Sequence, residues 1–258
     1  MKKILFFALP FAAAIFAQST QAAEPAGHPH PANEPPHWGY DGDGAPEHWG
    51  QLSPEFAMCS IGVNQTPINI EGALNAGVKP LKLHYKNGSQ TIVNNGHTVQ
   101  VNVAAGNTLN LDDKTFELQQ FHFHTPSENL VNGKSFPLEA HFVYKNSEGE
   151  LAVLALMFKE GKTVNKQLEE IWKVMPKEKG EPVALAKEVD VQALLPKHRA
   201  YYRFSGSLTT PPCTEGVRWL VLKDALSISK EQVEQFSAVV HHHNNRPVQP
   251  LYGRVIVQ

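Results

Sequence analysis

The chain has 258 residues, with 23 Lys and Arg against 25 Asp and Glu and a formal charge of −2. That mildly acidic balance lacks the basic excess of a nucleic-acid-binding surface, so no nucleic-acid partner is expected. The length suits one sizeable domain, and no internal repeat or interior linker divides it.

The first element in chain order reads as an export signal. Lys2 and Lys3 form a positive start, Ile4 to Phe16 an apolar run, and Gln18-Ser19-Thr20-Gln21-Ala22-Ala23 a small-residue cleavage region. Residues 1–22 are therefore expected to be removed near Ala22 or Ala23, which implies a periplasmic or secreted protein. The apolar run is short and broken by Pro10, so no membrane span is expected. Loss of Lys2 and Lys3 leaves 21 basic against 25 acidic residues, a net charge of −4. Residues 23–36 are rich in Pro, Ala and His and read as a disordered leader. Residues 37–258 then form the single domain.

Short runs rich in Val, Ile, Leu and Phe follow, separated by turn signals such as Asn87-Gly88, Asn95-Gly96 and Asn132-Gly133. Strands are expected at Leu81 to Tyr85, Gln90 to Asn94, Thr98 to Val103, Thr108 to Leu111, Thr115 to His124, Leu138 to Lys145, Leu151 to Lys159 and Val217 to Leu222. Val99, Val101 and Val103 alternate with polar residues, as on a half-buried strand. The unbroken apolar run Leu151 to Phe158 reads as a central strand. Two segments read as helices. In Thr163 to Val174, the residues Val164, Leu168, Ile171 and Trp172 share a face, and Pro176 ends the run. In Ser229 to Val240, Ser229 and Gln232 have capping-box spacing. The fold class is mainly β: a large, mostly antiparallel, twisted central sheet with a few short peripheral helices. Only Cys59 and Cys213 occur, and an even count in an exported chain reads as a disulfide.

The most informative chemistry lies in Gln120-Phe121-His122-Phe123-His124 and Leu138-Glu139-Ala140-His141-Phe142. Side chains alternate along a strand, so His122 and His124 share one face while Phe121 and Phe123 take the other. A neighbouring strand carrying His141 brings a third imidazole to the same place. Three imidazoles without a thiolate suit Zn2+ and leave a fourth tetrahedral position open, the pattern of a catalytic site. Gln120 and Glu139 each stand two residues before a ligand, where they can accept from its other ring nitrogen.

These residues, with others along the chain, resemble the α-class carbonic anhydrases, bacterial periplasmic branch. The further marks are His37-Trp38-Gly39-Tyr40, Glu47-His48-Trp49, Gln65-Thr66-Pro67-Ile68, Asn95-Gly96-His97, Ser127-Glu128, Gly206-Ser207-Leu208-Thr209-Thr210-Pro211-Pro212 and Asn245-Arg246-Pro247. Each is weak alone; in this order, from Trp38 to Val257, they are specific. The resemblance implies the α-carbonic-anhydrase fold and a zinc enzyme that reversibly hydrates carbon dioxide to bicarbonate and a proton. The attacking group would be a zinc-bound hydroxide, and esterase activity on activated esters would be a side reaction.

The roles implied by the resemblance are as follows. His122, His124 and His141 hold the metal, oriented by Gln120, Glu139 and the Asn244 carbonyl. Glu128 accepts from the Thr209 hydroxyl, which then fixes the nucleophile. His97 shuttles protons, a task suited to an imidazole with an ordinary pKa of about 6.5. Val143, Val153, Leu208, Val217 and Trp219 line the apolar side of the substrate pocket. Asn95, Gln100 and Thr210 form its facing polar wall. Sulfonamides and anions are the implied inhibitors, and homodimers among bacterial relatives make a homodimer one implied assembly.

Two other readings compete. A catalytically silent binding relative would have lost a ligand, and all three are present. A Ser-His-Asp hydrolase would carry a Gly-x-Ser-x-Gly elbow, which the chain lacks. Trp38, Tyr40 and Trp49 read as structural packing, and His241, His242 and His243 as a solvated turn after a helix. The segment between His124 and His141 is shorter than in mammalian members, with Thr125-Pro126 following the second ligand. This implies a more open active-site mouth.

Overall fold

Alternation of apolar and polar side chains builds this molecule from strands whose two faces do different work. The computed structural model describes residues 37–86, 88–185 and 187–258. The expected signal, the leader and Asn87 of the Asn87-Gly88 turn lie outside them.

In chain order come two single-turn helices, α1 (Trp49–Leu52) and α2 (Met58–Ile61), then β1 (Asn69–Ile70), β2 (Lys82–His84), β3 (Ser89–Asn94), β4 (Val99–Val103) and β5 (Thr108–Leu111). The long strand β6 (Lys114–His124) leads to β7 (Leu130–Val131), β8 (Leu138–Lys145) and β9 (Leu151–Glu160). Helix α3 (Lys166–Trp172), β10 (Val183–Ala184), β11 (Tyr201–Ser207), β12 (Glu215–Leu222), β13 (Leu226–Ile228) and α4 (Lys230–Val240) complete the chain. The main sheet runs β10-β3-β4-β6-β8-β9-β12-β11, with β5 on β6, β2 on β5 and β13 on β9. Its pairings are antiparallel except those of β9 with β12 and β13. The class is thus mainly β, as expected.

One sheet face carries the main core. Phe121, Phe123, Phe142, Leu154 and Leu156 lie there, all fully buried. Helices α3 and α4 close it: Phe123 meets Trp172 and Phe236 edge to face at 4.9 and 5.9 Å. Each such ring stabilises the fold by roughly 1.5–3 kcal/mol relative to exposure.

Strand β6 keeps its apolar side chains on this core only because it is bulged. The register with β8 shifts between Leu118 and Gln120. Phe116 and Leu118 before the bulge, and Phe121 and Phe123 after it, therefore all join the same core. An extra residue at a bulge changes which face the following side chains take. Gln120, His122 and His124 are thereby aimed at the opposite face.

The structure corrects two local expectations. Strand β11 was not expected from the sequence; Arg203, Ser205 and Gly206 dilute its β-forming character. Helix α3 starts at Lys166 rather than Thr163, because the Asn165 side chain accepts from the N–H groups of Gln167 and Leu168 and caps it there. Val164 therefore stays outside the helix and exposed. In α4 the Ser229–Gln232 capping box forms in full.

Candidate active site

The face opposite the main core gathers the three histidines. His122 pairs directly with His141 across β6 and β8, and His124 pairs with Glu139. Paired residues share a face, so one register sets the triad. Their ligating nitrogens all lie within 4.8 Å of one another.

Each ring has a polar neighbour at its other nitrogen. His122 Nδ1 meets Gln120 Oε1 at 2.8 Å and His124 Nδ1 meets the Asn244 carbonyl at 2.6 Å, while His141 Nε2 lies 2.9 Å from Glu139 Oε1, close to it but outside hydrogen-bond alignment. His124 Nε2 is left buried without a hydrogen-bond partner. Burial, reinforced at His122 and His141 by the neighbouring imidazoles, lowers the basicity of the rings. They are therefore neutral near pH 7, the form that offers lone pairs to a cation. A buried, oriented, neutral donor set of three nitrogens fits a single tetrahedral metal ion.

Glu139 is itself fixed from three directions. The backbone N–H groups of Glu128 and Asn129 donate to its Oε2 at 2.7 and 2.9 Å, and Asn129 Nδ2 donates to Oε1 at 2.7 Å. Burial pushes its pKa up, and the Asn129 donors pull it back. Nothing local in the sequence marks Asn129 for this role.

A second buried carboxylate, Glu128, borders the triad. Its Oε2 stands 3.5 Å from His124 Nε2 and 3.8 Å from His141 Nδ1. Burial raises its pKa well above the usual range. The Thr209 hydroxyl, the Arg246 N–H and the Arg246 charge all work against that rise. Arg246 donates its N–H to Glu128 Oε1 at 2.8 Å, while its guanidinium binds Gln65 Oε1, the Thr66 carbonyl and the Cys59 carbonyl at 2.8–2.9 Å. Arg246 is 2% exposed, so it is an interior anchor. In sequence, Asn245-Arg246-Pro247 carries the family resemblance but no role for the side chain.

Beside the triad lies a second apolar cluster with Val153, Val217 and Trp219 buried, and Val143 and Leu208 packed against it. Val143, Val153 and Trp219 form one row across β8, β9 and β12. Trp219 meets His141 edge to face at 5.0 Å and donates Nε1–H to the Ser207 carbonyl. On the other side, Gln100 pairs with His122 across β4 and β6. Apolar side chains thus lie on one side of the imidazoles and Gln100 on the other.

Comparison with known proteins agrees with this geometry. Residues 44–258 match the family model described as eukaryotic-type carbonic anhydrase. A carbonic anhydrase of Pectobacterium atrosepticum is 58% identical over 226 residues, covering 88% of this chain and 92% of that protein. The chain belongs to the α-carbonic anhydrase family.

Solved structures concur. The α-carbonic anhydrase of Thermovibrio ammonificans, in complex with the inhibitor sulfanilamide, is 50% identical with a TM-score of 0.84, covering 86% of this chain and 99% of that one. The α-carbonic anhydrase of Photobacterium profundum is 50% identical with a TM-score of 0.82, at coverages of 86% and 100%. The general reaction of these enzymes is CO2 hydration, and the triad, the fold and the enzyme class expected from the sequence hold together.

Three remaining positions are refined within this carbonic anhydrase. His97 stacks on Trp38, so Trp38 has a second contact besides the expected packing with Tyr40 and Trp49. The expectation of an ordinary pKa for His97 is corrected. Burial, then Lys179, His37 and His242, lower it to about 4. Asn95 is half-buried, but its Oδ1 accepts from the N–H groups of His97 and Thr98, both at 2.9 Å, so it shapes the turn. Thr210 is half-buried and its carbonyl accepts from Cys213 N–H at 2.9 Å.

Cys59 and Cys213 form the expected disulfide, 154 residues apart. It packs with Trp49 and Phe56 in a third small core. His241 is the left-handed residue ending α4, and His242 leans on Tyr40 at 5.4 Å. Among the described residues the only metal-suited cluster is the triad of His122, His124 and His141.

Proposed function

We propose that this chain is a zinc carbonic anhydrase that reversibly converts CO2 to bicarbonate and a proton, acting in the periplasm or as a secreted protein after cleavage near Ala22 or Ala23. The observation that carries the proposal is the set of convergent imidazole nitrogens, each ring already oriented by Gln120, Asn244 or Glu139. His122 and His124 would hold Zn2+ through Nε2 and His141 through Nδ1. Bound there, Zn2+ supplies a Lewis acid that brings the pKa of a bound water to about 7, the effect carbonic anhydrase itself exemplifies.

The remaining work falls to the chain's own groups. The Thr209 hydroxyl donates its hydrogen bond to Glu128, which leaves the Thr209 oxygen able only to accept at the triad. That fixes the direction of approach to the substrate carbon. Val143, Val153, Leu208, Val217 and Trp219 exclude water and give apolar CO2 a place beside the imidazoles. Gln100, Asn95 and Thr210 solvate the path by which the proton leaves, and His97 relays it outward. Hydrolysis of activated esters is proposed as a side activity of the same centre. Inhibition by sulfonamides and simple anions is proposed on the likeness to the sulfanilamide-bound Thermovibrio enzyme.

Elemental analysis combined with stopped-flow CO2 hydration tests this. One zinc per chain and hydration proportional to zinc content are expected, with both lost in His124→Ala. Glu139→Ala is expected to lower metal affinity or activity by about 10–100-fold, less than any ligand change. Refolded protein that binds no zinc, or His124→Ala with full affinity, overturns the assignment.

A further inference from the structure

A cleft unrelated to the triad lies between the Val78–Leu81 segment and the start of β11. It encloses about 360 Å³ and is lined by Lys79, Arg199, Tyr201, Lys223 and Gln258, among others. Three cations line it and no acidic side chain does, the α-carboxylate of Gln258 being the anionic group among its lining residues. In a chain of net charge −2 that local excess stands out.

The cleft walls are tied in place. Tyr201 donates its hydroxyl to the Lys79 carbonyl at 2.8 Å, and Lys223 N–H donates to the Ala200 carbonyl at 2.9 Å. Among the described residues, none of the three cations is in an ion pair with an acid. Lys223 Nζ binds the Gln258 side-chain oxygen at 2.6 Å and lies over the Tyr202 ring. Arg199 Nε is buried with no hydrogen-bond partner. Nearby groups do not neutralise it. Its charge reaches the phenols of Tyr85 and Tyr144, whose oxygens are 2.5 Å apart, but burial pushes both phenols up, Tyr85 to about 12, so they stay uncharged. In the adjoining groove Asp112 is engaged by Arg203 and Arg218, and Asp113 also borders it; Asp224, next to Lys223 in the chain, faces His198.

Arg199 is half-buried at the cleft wall, which holds its guanidinium in place rather than leaving it free in solvent. Arg presents a planar fork suited to two oxygens of one anion, while Lys supplies point charges around it. We propose that this cleft is a second ligand site, which binds a small oxyanion of the phosphate class through Arg199, with Lys79 and Lys223 completing the charge. It is separate from the carbonic anhydrase centre: no residue of the triad, its orienting partners or its two walls lines it.

The test is a titration of the zinc-loaded, full-length protein with inorganic phosphate, followed residue by residue through backbone amide NMR. Saturable shifts are expected at Lys79, Leu81, Ala200, Tyr201 and Lys223. Arg199→Gln should weaken the apparent affinity about tenfold, the loss of one charge-assisted contact. Lys223→Gln, at an exposed position, should weaken it less and serves if Arg199→Gln fails to fold. Sulfate arms separate a general oxyanion site from a phosphate site: equal affinity supports the former, preference for phosphate the latter, and both keep the cleft as the site. Shifts confined to residues around His122, His124 and His141, unsaturable shifts, or affinity unchanged in Lys223→Gln and Arg199→Gln overturn the proposal.

Discussion

The imidazole of His97 lies face to face on the indole of Trp38, with ring centroids 3.8 Å apart and planes 6° from parallel. This stack removes His97 from water, the largest cause of its lowered pKa of about 4. Transfer near neutral pH needs a more basic ring than this, so the proposed relay works with His97 lifted off Trp38. Trp38→Ala is therefore expected to raise the His97 pKa toward 6.5, read by NMR titration of the ring. His97→Ala should lower kcat and leave kcat/KM for CO2 nearly intact, with recovery in concentrated imidazole buffer. A variant equal to wild type in dilute buffer removes His97 from proton transfer.

The same shift predicts a direction for stability. In the unfolded chain His97 takes up a proton near pH 6.5, but in the folded chain only near pH 4. Between those values the unfolded state binds more protons. The His97 contribution is thus fully present above about pH 6.5 and lost as pH falls toward 4. The urea midpoint of wild type should fall relative to that of His97→Gln as pH drops from 7.5 to 5; parallel profiles contradict the assignment.

Thr209 acts through orientation. It is buried beside Glu128 and ligates nothing in the triad. Thr209→Ala should keep stoichiometric metal and lose most CO2 hydration. Full activity in the metal-replete variant would reduce the Thr209–Glu128 pair to packing.

The disulfide closes a long loop. The link between Cys59 and Cys213 spans 154 residues, and its reduction should cost about 2–5 kcal/mol by freeing the unfolded chain. Cys213 also fixes the Thr210 carbonyl, and its own carbonyl accepts from Gln65 Nε2 at 3.0 Å. Denaturant midpoints with and without reductant measure the cost. Two free thiols in exported protein, or an unchanged midpoint, contradict it.

Gly206 marks where backbones crowd. A Cβ there would fall 2.0 Å from Thr66 Oγ1 and 2.9 Å from Trp219 Cδ1. Gly206→Ala should destabilise the protein by roughly 1–3 kcal/mol, as overpacked interiors do. It should also disturb Trp219, visible as altered tryptophan fluorescence. Unchanged melting and fluorescence would mean that Thr66 yields freely.

Local rules made much of this molecule legible from sequence. Alternation alone put His122 and His124 on one face and Phe121 and Phe123 on the other, because strand geometry sends successive side chains to opposite sides. The Ser229–Gln232 spacing alone marked the start of α4, since a cap needs only neighbouring donors and acceptors. The spacing of Glu139 from His141 and of Gln120 from His122 likewise named the orienting partners of two ligands. Tertiary structure decided what depends on distant segments. The bulge between Leu118 and Gln120 is set by pairing with β8, and no pattern in β6 reveals it. Arg246 becomes an anchor only because Gln65, Thr66, Cys59 and Glu128 fold around it. The basicity of His97 follows from Trp38 and Lys179, residues tens of positions away in the chain. Burial and electrostatic fields are sums over neighbours in space, and only the folded chain fixes which neighbours those are.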